Sequence, residues 1–152
     1  MGVGNAGNSG GVPGRQFAKL ANSATQAIAT GTWTPVTWDL EDLDPQSWHS
    51  TSSNTSRITP NVAGYYTVHM RSEWATGSGV QRYVAAAKNG SRITQIPTAF
   101  VNTTSNHSFE FTEQLVYCDG VTDYLEMHVY QDSGGTLNLN TTSRLTVTLE
   151  SV

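Results

Sequence analysis

The stretch GYYTVHMRSEWA, from Gly64 to Ala75, constrains the fold most. In an extended chain Tyr66, Val68, Met70, Ser72 and Trp74 share one face, and Tyr65, Thr67, His69, Arg71 and Glu73 the other. A period of two held this long marks a strand buried on one side. Similar segments follow. Gln81 to Lys88 and Ser91 to Ile96 flank Asn89-Gly90, a pair that favours a tight hairpin. His107 to Cys118 carries Phe109, Phe111, Leu115 and Tyr117. Asp123 to Gln131 sets Leu125, Met127 and Val129 against Tyr124, Glu126, His128 and Tyr130. Arg144 to Glu150 sets Leu145, Val147 and Leu149 against Arg144, Thr146, Thr148 and Glu150. Nearer the start, Gln16 to Ala21 and Thr25 to Thr30 read as edge strands or extended arms. Thr32 to Leu40 is interrupted by Pro35, which points to an edge or a bulge. Asp39 to Asn54 reads as an acidic, Ser-rich loop containing Trp48, and Ser56 to Thr59 as a short strand. The count is about eight to ten short strands, the pattern of a sandwich or barrel. No internal repeat suggests a propeller or solenoid.

Composition agrees. The 152 residues fit one domain. Only 13% are charged and 37% hydrophobic, while 21 Thr, 15 Ser and 10 Asn fill the remainder. Thr favours strands, and Ser, Asn and Gly favour turns, so the chain reads as all-β. A net charge of −4 with eight basic residues disfavours a broad nucleic-acid surface. No apolar run approaches a membrane span. Met1 to Gly14 has no basic start and no apolar core, so no secretory signal is expected there. Six of those 14 residues are Gly. The expected organisation is a Gly-rich arm over residues 1–15, ordered by a partner surface, and a single domain over 16–152.

Chemistry is sparse. The single Cys118 excludes an internal disulfide framework and a multi-cysteine zinc site, and reads as a buried free thiol. His49, His69, His107 and His128 have no metal-ligand spacing. Asp119 or Asp123 could be matched with His107 or His128 on paper, but no serine stands in a nucleophile-elbow context. Asp39, Glu41, Asp42 and Asp44 offer oxygen ligands for Ca²⁺, yet lack the glycine and distal glutamate of an EF-hand loop. The sequons at Asn54, Asn89, Asn102, Asn106 and Asn140 follow from Thr-rich composition. No catalytic residue, metal site or cofactor is expected.

Order and spacing of several motifs carry a resemblance. ThrProAsnValAlaGlyTyrTyr, Thr59 to Tyr66, resembles the motif before the central strand of the complement first-component globular head. That family shares its jelly roll with tumour necrosis factor. Lys88-Asn89-Gly90, Asp119 to Gln131 and Arg144 to Ser151 resemble the family's later turns and final strands. The resemblance covers about Gln16 to Val152 and implies a two-sheet antiparallel jelly roll assembled as a homotrimer. The high Thr, Ser, Asn and Gly content resembles bacteriophage virion versions of that fold, in head decorations and fibres.

In such a trimer one sheet packs towards the threefold axis. Tyr65, Tyr124, His128 and Tyr130 lie opposite the apparent core faces and are the expected interface set. The resulting expectation is a structural virion protein, made in the bacterial cytoplasm and placed on the outer surface of the head. Its partners would be itself and the major capsid protein, with neither nucleic acid nor membrane. Val3, Val12, Arg15 and Phe17 are the expected capsid anchors, with Lys19 a nearby charge. The alternative is a receptor- or glycan-binding tip of a tail or head fibre. An exposed Trp48 and the loops Thr76 to Gly79, Asn102 to Asn106 and Ser133 to Asn140 would form its contact surface.

Overall fold

The computed structural model describes residues 15–77, 81–93, 96–97 (backbone only) and 106–152. Val3, Val12 and residues 102–105 lie outside these. Every regular element described is a strand: β1 (Phe17–Ala21), β2 (Gln26–Ile28), β3 (Thr34–Pro35), β4 (Leu40–Leu43), β5 (Gly64–Trp74) and β6 (Arg82–Lys88). Then come β7 (Ser91–Arg92), β8 (Ile96–Pro97), β9 (His107–Cys118), β10 (Leu125–Gln131), β11 (Leu137–Leu139) and β12 (Arg144–Ser151). All pairings are antiparallel. The first sheet runs β2-β11-β5-β12-β1-β4, with β9 also paired to β5. The second runs β3-β10-β6-β7, with β8 also paired to β6.

The alternation of β5 decides its place. Tyr66, Val68, Met70, Ser72 and Trp74 are buried, and the intervening residues are exposed or half-buried. Leu145 and Val147 of β12 and Ala18 and Leu20 of β1 join the same core. Val84 and Ala86 of β6 and Leu125, Met127 and Val129 of β10 close it from the second sheet. The core is therefore the space between two inward faces, as a sandwich requires.

Contacts of the loop before β5 lock this arrangement. The Asn61 side chain accepts a hydrogen bond from the Trp48 indole Nε1 at 2.8 Å, and Tyr66 Oη donates to the Val62 carbonyl at 2.6 Å. Gly120 has φ +73°, and a Cβ there would collide with the backbone of Val62 and Ala63. The Asp119-Gly120 turn thus docks on the loop before β5, and glycine is the residue that permits the approach.

The structure departs from the sequence reading in three places. Trp48 is 2% exposed and packs edge-on against Tyr66, with ring centroids 5.5 Å apart, so it is no surface stacking residue. Trp38 and Trp74 share the core with it, and only Trp33 lies outside. Within the stretches read as loops, Leu40–Leu43 forms edge strand β4 and Leu137–Leu139 forms β11.

Candidate interaction surface

The outer face of the first, seven-stranded sheet carries the candidate surface. Tyr65 faces Tyr117 across the β5–β9 pairing, their ring centroids 5.5 Å apart. Beside them β9 carries a bulge: Gln114 and Leu115 together oppose the single Thr67. Leu115 sits there with φ +57° and is 63% exposed. Tyr65 and Tyr117 are 45% and 49% exposed. A leucine held in left-handed backbone and turned to water is unfavourable on both counts. Bulges of this kind re-aim a side chain.

The middle of the face is polar and rich in threonine. Thr67, His69, Thr112, Thr146 and Thr148, with Phe17 and Arg15, line a hollow of about 370 Å³. His69 Nδ1 lies 2.9 Å from Thr112 Oγ1. Charges at the margins are matched within the chain. Arg71 reaches Glu73 at 3.5 Å and Glu110 at 3.9 Å, and Arg15 reaches Glu150 at 3.9 Å. Asp42 of β4 meets Lys19 at 3.3 Å and Arg144 at 3.1 Å. Hydrogen bonds hold the Glu73 carboxyl low, first that from Ser108 and then that from Thr142.

The four residues expected at the axis do not share this face. Tyr65 alone lies on it. His128 and Tyr130 belong to β10 in the second sheet. Tyr124 precedes β10 and sits under the Arg57 guanidinium, 3.9 Å from its ring centroid. His128 is buried, with Nε2 3.2 Å from Glu126 Oε2. Ser56 Oγ donates to Glu126 Oε1 at 2.6 Å. Burial pushes the Glu126 carboxyl up, but the bonds from His128 and Ser56 and the His128 and Arg57 charges outweigh it, so its pKa is lowered. Ser56 bonds the carboxylate and not the imidazole, so the trio does not stand in the order hydroxyl–imidazole–carboxylate. Tyr117 and Leu115, absent from the expected set, complete the patch around Tyr65. Their signal was available in the register of two adjacent strands, which no single-strand pattern reveals.

Other candidates resolve into local structure. Arg15 and Phe17, read as capsid anchors, contribute to the folded domain: Arg15 pairs with Glu150, and Phe17 pairs with Thr148 in the β1–β12 ladder. The carboxylates of residues 39–44 diverge: Asp39 takes Ser23, Asp42 takes Lys19 and Arg144, and Asp44 caps the backbone N–H groups of Trp48 and His49. Among the described residues no group of three His, Cys, Asp or Glu could hold a metal ion. Asp119 caps its own turn by accepting from Val121, Thr122 and Asp123 N–H groups. Asp123 takes Lys88 at 2.8 Å. Neither aspartate contacts a histidine in these bonds. Cys118 is buried, and burial pushes its thiol pKa up to about 12.

No protein-family model matches the chain. No curated protein matches it by sequence. Solved structures do match by fold. Murine APRIL at pH 8.0 superposes with a TM-score of 0.60 at 11% identity, over 90% of this chain and 99% of that one. Eiger TNF from S. frugiperda gives 0.58 at 11%, over 90% and 93%. Murine APRIL at pH 5.0 gives 0.59 at 10%, over 90% and 99%. The class is therefore an all-β, two-sheet antiparallel jelly roll of the tumour necrosis factor type. At such identity the likeness is one of fold.

Proposed function

We propose that the chain is a structural, non-enzymatic protein that forms a homotrimer through the outer face of its first sheet. One observation carries this reading: Tyr65, Tyr117 and a strained, exposed Leu115 make one apolar patch beside the threonine-rich hollow. Covering it removes apolar area from water at about 25 cal/mol per Å². The charges around it are already paired within the chain, so a second copy meets few bare charges.

The setting proposed is the outer surface of a bacteriophage head, with the major capsid protein as partner. Support comes from the Gly-rich residues 1–15, a segment whose backbone can follow an irregular surface. Val3 and Val12 are its apolar anchors. Three weak arms on one trimer gain strength by avidity.

Light scattering tests the assembly. The full chain is expected at three times 16.4 kDa, and Tyr65→Asp or Leu115→Asp as a folded monomer. A monomeric parent chain sinks the reading. Sedimentation with undecorated capsids tests the setting. The full chain should cosediment, and residues 16–152 should stay trimeric and remain in solution. Binding of both forms to host cells and of neither to capsids would favour a receptor-binding tip.

A further inference from the structure

On the solvent side of the second sheet three aromatic rings meet. Tyr130 of β10 pairs with Tyr83 of β6, and Val129 with Thr34 of β3, so Trp33 lies beside Tyr130. Val129 and Val84 point into the core, which turns Tyr130 and Tyr83 outward. Ring centroids lie 5.6 Å apart for Trp33–Tyr130, 5.6 Å for Tyr83–Tyr130 and 5.8 Å for Trp33–Tyr83. The planes are inclined by 41°, 75° and 54° in that order. The rings therefore wall a cup and do not stack flat. Gln81 completes the lining of a hollow of about 290 Å³, and its Oε1 accepts from Tyr83 Oη at 2.8 Å. The Arg92 guanidinium lies over the Trp33 ring, 4.4 Å from its centroid, and takes that face of the indole.

We propose that this cup binds a pyranose sugar. Scattered apolar residues on a solvent face are ordinary, but three clustered half-buried rings are not. Ring faces accept the C–H side of a pyranose, as aromatic surfaces accept other flat apolar faces. Gln81 is an amide with both donor and acceptor atoms, and the tyrosine hydroxyls likewise give and take hydrogen bonds. That mixture matches a ligand whose edge is all hydroxyl. The hollow stands at the lower end of small-molecule sites, about 300 Å³, which suits one sugar ring. The site lies on the opposite sheet from the proposed trimer face, so the two readings stand or fall separately.

The test uses lactose, maltotriose and 3′-sialyllactose against the full chain, read by saturation-transfer NMR and tryptophan fluorescence. At least one sugar is expected to saturate with a Kd of about 1–10 mM, the range of a shallow single site. Trp33→Leu and Gln81→Ala should each weaken it about tenfold or more, with thermal unfolding confirming that both variants fold. Tyr65→Asp, on the other sheet, should bind as the parent does. Failure of all three sugars to saturate overturns the proposal. So does a response that survives both cup variants, or a decaproline peptide that saturates the cup where the sugars do not.

Discussion

Gly120 and Gly134 both have positive φ, +73° and +83°, but only Gly120 has backbone packed where a Cβ would stand. Gly134→Ala should cost about 1–2 kcal/mol, the penalty of left-handed backbone for an L-residue. Gly120→Ala should cost more, because the Val62–Ala63 backbone must also move. At roughly 2–4 °C per kcal/mol for a domain of this size, thermal unfolding separates the two. Equal shifts would mean that the Asp119-Gly120 turn does not depend on its dock. Cys118 supports a second residue-scale prediction. With its thiol pKa pushed up to about 12 and its side chain buried, it should not react with a disulfide reagent at pH 8 in the native protein. One equivalent should react in denaturant. Fast native reaction would show that β9 opens at its Cys118 end. Both positions were partly legible in the sequence: Asp-Gly announced a turn and an apolar strand announced a buried thiol. The docking partner of Gly120 was not, because it lies 57 residues earlier in the chain.

At the scale of strands, β5 could be read almost residue by residue because its period of two runs unbroken over 11 residues. β11 could not. Its three residues, Leu137–Leu139, lie between Thr and Asn and become a strand only because β2 and β5 accept their backbone. β4 was hidden by Glu41 and Asp42, acidic residues that read as loop yet suit an edge strand. Trp48 was misread for a related reason. It stands in a polar segment, and its burial depends on Asn61 and Tyr66 reaching it from the next loop and strand. The β9 bulge gives the prediction for this scale. Leu115→Gly should relieve about 1 kcal/mol of backbone strain while removing an apolar contact of the proposed interface. The variant is expected to dissociate at higher protein concentration than the parent, measured by dilution light scattering, even though each folded chain is no less stable. Unchanged dissociation would detach Leu115 from assembly.

For the molecule as a whole, the titrating groups define a pH window. Asp123, bonded first by Lys88, and Asp119, bonded first by the Asp123 N–H, have carboxyls held below their ordinary range, as do Glu73 and Glu126. Each adds stability above its unfolded pKa of about 4 and loses it as pH falls through the lower folded value. Lys88 is raised, first by its bond to Asp123, so its share is present below about 10.4 and is lost as pH rises through the folded value. Urea unfolding from pH 3 to 11 should show a plateau with acid and alkaline limbs. Lys88→Met should lower the plateau and flatten the alkaline limb, and an unchanged alkaline limb would assign it to other groups. The position of β12 has a consequence of another kind. This strand lies between β1 and β5 in the first sheet, although it is made last of the three. On the ribosome, β1 and β5 emerge without their common neighbour. At about 5–20 residues per second, the nascent chain waits roughly 4–15 s between completing β5 and completing β12. The edges of β1 and β5 that β12 fills lack that partner for the interval. An unpaired strand edge can accept another chain, so the pace of translation sets how long this sheet stays open to one.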